Sequence, residues 1–308
     1  MTDAAAIDAI QVTVGQGSRI GLTISLAVMI FSVALTLKPE DFAFLGRRPK
    51  MFLGGLSTQI IGLPLMSIGL AHLLAPTPSI AFGMIVVACC PGGNVSNLLV
   101  LMARGNAAYS VSLTAASSAL AFIVTPIAIL GWSSLYPPTA ELIRSVDVDM
   151  LPFVLQTGMA LGFPLAIGML MSTFRPKWAA LIQPFVYALA ICILILLVAV
   201  GIWSNWELLL ASSYLIAPVA IIHNASAFAL GALMGRMLSL DNGSRRALAF
   251  EIGIQNAGLG LVILLTQFPT LGGAAAVVGF WSLWHLAAGM ILAGGFRLWD
   301  RYSRSARV

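Results

Sequence analysis

Charged residues are scarce in this sequence, and their absence from one long stretch excludes most classes of protein. Only 9% of the 308 residues are Asp, Glu, Lys or Arg, whereas 59% are hydrophobic. No charged residue occurs from Met51 to Ala103, a stretch long enough for two bilayer crossings of about 20 residues each. The chain is therefore predicted to be a polytopic membrane protein, which excludes a soluble enzyme, a nucleic-acid-binding protein and a disordered chain.

Cysteine is also rare, and the N-terminus lacks basic residues. Cys89, Cys90 and Cys192 lie within apolar runs, at no spacing that indicates a metal site, a redox pair or a disulfide scaffold. Residues 1–17 contain Asp3 and Asp8 but no Lys or Arg, so the basic region of a signal peptide is missing. We interpret them as a short segment on the outer face of the membrane.

The apolar runs predict nine membrane spans in a single transmembrane domain that takes in residues 1–308. The predicted spans are residues 19–37, 51–75, 79–103, 107–132, 149–173, 178–202, 207–236, 246–268 and 272–296, with approximate boundaries. The fold class is therefore predicted to be an all-α polytopic membrane protein.

The basic residues predict the orientation of these spans. If the N-terminus is outside, only Arg19 and Arg144 of the 16 Lys and Arg residues lie outside and the rest lie inside. Cytoplasmic ends of spans collect Lys and Arg, so we expect the N-terminus outside and the C-terminus in the cytoplasm. The net charge of +5 then reflects topology rather than an acidic partner.

Two of the predicted spans contain interruptions. The third contains the run Cys-Pro-Gly-Gly-Asn-Val-Ser-Asn at residues 90–97, and the eighth contains Glu-Ile-Gly-Ile-Gln-Asn-Ala-Gly at residues 251–258. Proline and glycine disfavour a continuous helix, so both spans are predicted to unwind at mid-membrane. Such a pair, in spans of opposite direction, indicates a transporter site between inverted repeats. The alternative is that the glycines only permit close helix packing.

Glu251 is the only acidic residue in the interior of a predicted span, since Asp149 and Glu207 lie at span ends, and no basic residue in the interior of a span is available to pair with it. An ionisable group at that depth is costly and requires a partner. The partner is either a bound cation or the proton of a neutral acid, and a purely structural glutamic acid is the third possibility.

Other polar residues favour a hard cation such as sodium, which prefers oxygen ligands. Ser110 and Thr114 are four residues apart and share one helix face, although each hydroxyl alone is also compatible with a bond to its own helix. Ser96, Asn97 and Gln59 supply further oxygens at membrane depth.

The half-helix that follows each break is expected to bind an anion, whereas the oxygen ligands bind a cation. Its free N–H groups predict binding of a substrate carboxylate or sulfonate. His285, in the last span, is expected either to border this cavity or to pack against a neighbour.

The ordered motifs resemble the bile acid:sodium symporter family over about residues 19–296. The motifs are residues 37–42 (LKPEDF), 90–97, 103–106 (ARGN), 110–114 (SVSLT), 223–224 (HN), 251–258 and 284–285 (WH). The resemblance implies repeats at about 19–132 and 149–298, and a core domain that contains two crossed, broken helices. Spans 1, 5 and 6 are then the panel domain, and spans 2–4 and 7–9 are the core.

The resemblance also implies two sodium sites and a substrate region. The first site is expected to use Ser96, Asn97, Ser110, Thr114 and Glu251. The second is expected to use the Gln59, Glu251 and Gln255 side chains with the Ile252 and Ile254 carbonyls. Substrate is expected near Asn94, Val95, Asn256 and His285. Asn94, Val95 and Leu286 differ from the pattern of many bacterial relatives, so the resemblance does not specify the substrate.

The sequence therefore predicts a sodium-coupled symporter of an organic anion, either a small carboxylate or a bile-acid-like molecule, in a bacterial inner membrane. The expected partners are the anion, sodium and the lipid bilayer, without nucleic acid, and the oligomeric state stays open. One alternative is a proton-coupled transporter in which Glu251 carries the proton. An enzyme that uses Glu251 and His285 as acid and base, and a sensor without transport activity, are less compatible with the sequence.

Overall fold

A computed structural model describes residues 16–146, 149–204 and 206–305, and in these residues the regular secondary structure is helical. The predicted outer segment, with Asp3 and Asp8, lies almost entirely outside the described residues. The helices are α1 (Gln16–Ala34), α2 (Ala43–Arg47), α3 (Pro49–Ser57), α4 (Leu63–Leu74), α5 (Pro78–Ala88), α6 (Val95–Met102), α7 (Ala107–Ser134), α8 (Pro137–Ser145), α9 (Met150–Phe174), α10 (Pro176–Ser204), α11 (Trp206–Met237), α12 (Asn242–Gly253), α13 (Ala257–Gln267) and α14 (Gly272–Ser305). A 3₁₀ turn covers Pro39–Phe42, and a π-helical segment, Thr58–Gly62, joins α3 to α4.

The all-α prediction is confirmed for the described residues. Five helices are long and apolar enough to cross a membrane, namely Pro49–Leu74, Ala107–Ser134, Met150–Phe174, Ser213–Met237 and Gly272–Tyr302. Large apolar side chains on these and other helices face outward, and Phe163 and Phe185 are each 71% exposed. Apolar exposure on this scale is typical of a lipid-facing surface.

The third predicted span is divided into two half-helices. Pro78 occupies the first turn of α5, and the Thr77 hydroxyl caps this helix by accepting the Ile80 N–H at 3.3 Å. Helix α5 ends at Ala88, and α6 begins at Val95. Pro91 lacks an N–H and cannot continue the helical hydrogen bonds.

The eighth predicted span is divided in the same way, and the two breaks meet. Helix α12 ends at Gly253, and α13 begins at Ala257. The Gly93 N–H donates to the Ile254 carbonyl at 2.9 Å, and the Asn256 N–H donates to the Pro91 carbonyl at 2.9 Å. Each break thereby satisfies backbone groups that the other leaves free, which is required away from water.

A second group of helices packs beside this crossing. Helix α1 contacts both α9 and α10. Gly168 of α9 lies so close to Ala34 that an added Cβ would overlap it. The Ser172 hydroxyl donates to the Leu37 carbonyl at 2.7 Å. The end of α1 is therefore held against α9 by close packing and by a hydrogen bond.

Candidate functional site

The Glu251 carboxylate lies at the point where the two broken helices cross. Glu251 is in the last turn of α12 and only 1% exposed. Its Oε2 accepts hydrogen bonds from the hydroxyls of Ser96 at 2.8 Å and Ser110 at 3.1 Å. The Thr114 hydroxyl lies 2.8 Å from Oε1 and 2.9 Å from Oε2. Three hydroxyls from two other helices therefore surround one buried carboxylate.

Local structure explains why these hydroxyls converge. Ser96 is in the first turn of α6, immediately after the break. Ser110 and Thr114 lie one turn apart on α7, so both point to the same side. Ser117 lies on that side as well, and its hydroxyl accepts the Gly92 N–H at 3.2 Å. Helix α7 thus contributes a polar stripe to the crossing.

Oxygen atoms in this cluster outnumber the hydrogens available to them. The Thr114 hydroxyl oxygen has five oxygens within 3.4 Å: Ser96 Oγ, Asn97 Oδ1, the Ser110 carbonyl and both oxygens of Glu251. A threonine hydroxyl has one hydrogen and can donate it only once. The Ser96 and Ser110 hydroxyls donate to Glu251, so the Thr114 oxygen faces more acceptor oxygens than its one hydrogen can serve, an arrangement that suits a hard cation.

A second polar cluster adjoins the first on the other side of the break. Gln59 lies in the π-helical segment, and its Nε2 donates to the Cys90 carbonyl at 3.0 Å and to Gln255 Oε1 at 2.5 Å. Gln255 Nε2 donates in turn to the Ile252 carbonyl at 2.8 Å. The Ile254 carbonyl accepts from the other break, as described above. The residues predicted for the second sodium site are thus neighbours around the crossing, although amide N–H groups now engage some of the carbonyls.

Gly92 allows the first break to approach Glu251. A Cβ at this position would overlap the Glu251 Oε1 atom. Gly93 has a similar role, because an added Cβ would lie 3.1 Å from the Gln255 carbonyl oxygen. The two glycines therefore permit contact between the crossing backbones and the carboxylate.

The residues predicted to bind substrate are less closely gathered. Asn94 and Val95 are half-buried at the start of α6, and the Asn94 side chain does not cap that helix. Asn256 caps α13, because its Oδ1 accepts the Leu259 N–H at 3.2 Å. His285 is stacked on Trp281 with 4.8 Å between ring centroids, and its Nδ1 lies 2.8 Å from the Trp281 carbonyl oxygen. The polar contact of His285 is thus within α14 rather than at the crossing.

Two residues with clear roles at the crossing were not among the predicted site residues, although residues 223–224 belong to one of the motifs that carry the family resemblance. Ser117 supports Gly92, and its spacing of three residues from Thr114 was a usable signal. Asn224 is fully buried on α11, and its Nδ2 donates to the Gly253 carbonyl at 2.8 Å. Only the fold brings Asn224 to this carbonyl, so no local pattern could have assigned the contact.

Comparison with known proteins identifies the family. The model of the Sodium Bile acid symporter family matches residues 23–212. The uncharacterized sodium-dependent transporter YocS of Bacillus subtilis is 34% identical over 272 residues, which cover 88% of this chain and 81% of the relative.

Two further relatives come from a plant and an animal. The probable sodium/metabolite cotransporter BASS1 of Arabidopsis thaliana chloroplasts is 31% identical over 277 residues, 89% of this chain and 66% of the relative. The ileal sodium/bile acid cotransporter of Homo sapiens is 30% identical over 251 residues, 80% of this chain and 69% of the relative. The chain therefore belongs to the sodium bile acid symporter family, a family of membrane transporters and not of enzymes.

Proposed function

We propose that the protein is a sodium-coupled symporter of an organic anion that works by alternating access. The observation that carries this proposal is the buried Glu251 carboxylate, which is surrounded by hydroxyls and has no ion-pair partner among the described residues. A carboxylate inside a membrane requires a compensating positive charge. A sodium ion supplies that charge, and oxygen atoms are its preferred ligands.

The first sodium ion is assigned to Ser96, Asn97, Ser110, Thr114 and Glu251. This set is supported by the excess of oxygen atoms over hydroxyl hydrogens around Thr114. The ion would take the place of hydrogen bonds that the cluster cannot complete.

The second sodium ion is assigned to the side chains of Gln59, Gln255 and Glu251 with the carbonyls of Ile252 and Ile254. For this ion to bind, the amide oxygens must face it, and the bond from Gln255 Nε2 to the Ile252 carbonyl must be exchanged for a bond to the ion. Sodium would thereby link α12 to the π-helical segment and brace the crossing.

A proton is the competing partner for Glu251. Hydroxyl groups are both donors and acceptors, so the same three side chains also accommodate a neutral carboxylic acid. Proton coupling therefore makes a different prediction from sodium coupling, since acid pH rather than sodium would stabilise the protein.

The substrate is proposed to be a small carboxylate or a bile-acid-like anion that binds near Asn94, Val95, Asn256 and His285. The start of α6 is the better placed of the two half-helix ends, because no side chain caps its first N–H groups, of which the Ser96 N–H donates to the Gly93 carbonyl at 2.8 Å. Such N–H groups, at the positive end of a helix, attract anions. Sodium binding would order this end through Ser96, and this would couple the two ligands.

Alternating access requires two bodies that move relative to each other. We assign spans 1, 5 and 6 to a panel, and spans 2–4 and 7–9 to a core, in a nine-span protein with inverted repeats at about residues 19–132 and 149–298. The packing of α1 against α9 and α10 supports the panel, and the crossing between the two breaks supports the core.

We place the N-terminus outside and the C-terminus in the cytoplasm of a bacterial inner membrane. Contacts between residues on the same predicted side support this layout. Arg246 and Arg104, both predicted inside, meet Asp300, whereas His72 and Tyr136, both predicted outside, have ring centroids 4.4 Å apart. The excess of Lys and Arg on the first side supports its assignment to the cytoplasm.

The first experiment is thermal unfolding of the purified protein in sodium or potassium chloride at equal ionic strength. A ligand that binds only the folded state raises its stability by mass action, so we expect the unfolding temperature to rise with sodium and not with potassium. Glu251→Gln should greatly reduce the rise. Equal responses to both salts, together with stabilisation at lower pH, would instead indicate proton coupling.

A further inference from the structure

A pocket of about 490 Å³ opens between the start of α3 and the end of α11. Its lining includes Arg48, Lys50, Met51, Met237 and the turn at residues 238–241. One candidate membrane span begins at Pro49 and another ends at Met237. The pocket therefore lies where two apolar spans end on the same side, which is the level of the lipid headgroups.

Two positive charges at this pocket are available to a ligand. Arg48 and Lys50 are both exposed. Neither side chain has an ion pair or a hydrogen bond in the part of the chain that the structure describes. Paired Lys and Arg residues at the membrane boundary are typical of sites for anionic headgroups.

The one acidic residue of the pocket is engaged elsewhere. Asp241 Oδ1 accepts the Ser244 N–H at 3.0 Å, and Oδ2 accepts the Ser244 hydroxyl at 2.7 Å. These hydrogen bonds hold the pKa of Asp241 below its usual range, so the carboxylate is ionised. The formal charges of Arg48, Lys50 and Asp241 then sum to +1, which matches an anion with a single negative charge.

The pocket also has an apolar side and a fixed wall. Met237 is 68% exposed, whereas Met51 is 8% exposed. The wall is a closed turn in which the Leu240 N–H donates to the Gly235 carbonyl at 3.0 Å, and Ser239 adopts a positive φ of 53°. Cations beside an exposed methionine favour an amphiphile over a free inorganic ion.

We propose that this pocket binds the headgroup of an anionic phospholipid whose phosphodiester carries one negative charge. Arg48 and Lys50 contact the phosphate, and Met237 contacts the apolar part of the lipid next to the headgroup. The volume of the pocket is within the range of about 300–1,000 Å³ that small-molecule sites occupy. The proposal does not depend on sodium coupling, because none of these residues belongs to the crossing.

The test is thermal unfolding of the purified full-length protein, titrated with short-chain phosphatidylglycerol, with phosphatidylcholine of the same chain length, or with inorganic phosphate. We expect only phosphatidylglycerol to raise the unfolding temperature in a saturable manner. Arg48→Gln combined with Lys50→Gln should weaken its apparent affinity by about tenfold, because two charge-assisted contacts are lost. Both side chains are exposed, so this double variant should fold normally.

A second basic pair provides the matched control. Arg175 and Lys177 are exposed at the turn between α9 and α10, and neither lines this pocket. Arg175→Gln with Lys177→Gln should leave the response to phosphatidylglycerol unchanged. An equal loss in both double variants, or an equal response to phosphatidylcholine, would overturn the site. A response to inorganic phosphate as large as the response to the lipid would show a free-anion site and overturn the lipid as its occupant.

Discussion

Single side chains at the crossing divide into proposed ion ligands and residues that position those ligands. Glu251, Ser96 and Thr114 are of the first kind. Asn224 is of the second, because its amide donates to the Gly253 carbonyl, which lies between the two carbonyls assigned to sodium. Phe228, one turn later on α11, packs closely against Gly253. A Cβ added to Gly253 would overlap the Phe228 ring. Helix α11 therefore holds the end of α12 in one conformation.

Asn224→Leu tests this positioning role, because leucine has a similar size but no amide donor. We expect the sodium concentration for half-maximal stabilisation to rise by about tenfold, since the buried Gly253 carbonyl loses its donor and the segment that carries the Ile252 and Ile254 carbonyls is no longer held in place. The measurement is the sodium titration of the unfolding temperature. Asn242→Leu at the exposed start of α12 is the control and should leave the midpoint unchanged. An unchanged midpoint in Asn224→Leu would show that Asn224 does not position the site.

Among the helices, the breaks determine how closely the two crossed elements approach. Gly92→Ala should abolish stabilisation by sodium, because the added methyl group overlaps the Glu251 carboxylate. Gly69→Ala on α4 is the control, since an added Cβ there meets no atom within 4 Å. The control should keep its sodium response and gain up to about 1 kcal/mol from the better helix propensity. A normal sodium titration of Gly92→Ala would contradict the proposed position of the ion.

The helices that we assign to the core are also joined at their charged ends. Arg246 of α12 makes two hydrogen bonds to Asp300 of α14, at 2.9 and 2.5 Å, and donates to the Ala103 carbonyl at 2.7 Å. Its guanidinium also lies 4.7 Å from the centroid of the Phe296 ring. These contacts connect the ends of both broken helices to the last helix, so we expect the core to move as one body.

Arg246→Gln and Asp300→Asn test this connection. Each should lower the free energy of unfolding by about 2 kcal/mol, because each removes the charge-assisted hydrogen bonds between these two side chains, and Arg104 at 3.8 Å from Asp300 replaces them only weakly. The double variant should lose less than the sum, since both changes remove the same interaction. Unfolding in a denaturing detergent, with all four proteins compared, measures the coupling. Strict additivity would show that the pair does not join α12 to α14.

For the protein as a whole, the orientation in the membrane has a direct test. Cys192, which is exposed, is changed to alanine, whereas Cys89 and Cys90 are buried and are kept. One cysteine is then introduced at a time, at Ser145 or at Ser239, both of which are exposed in the structure. We expect a membrane-impermeant maleimide to label Ser145→Cys in intact cells and Ser239→Cys only after permeabilisation, because the Lys- and Arg-rich side faces the cytoplasm. The reverse pattern would place the N-terminus inside.

Sequence alone determined the helical class, the five predicted spans that correspond to long apolar helices and the positions of both breaks, because apolar run length, Pro91 and the adjacent glycines act locally on the backbone. It also identified Glu251, since a single acidic residue in the interior of an apolar span is evident from the sequence. For the polar stripe of α7, helical spacing predicted Ser110 and Thr114 but did not include Ser117.

Only the tertiary structure decided which groups meet. The bond from Asn224 to the Gly253 carbonyl, the support of Gly92 by Ser117 and the pocket beside Arg48 join residues that are far apart in the chain. The structure also distinguished His285, whose polar contact is within its own helix, from the residues gathered at the crossing. Such pairings depend on how the helices pack in three dimensions, and helical periodicity specifies which face is polar but not which partner that face contacts.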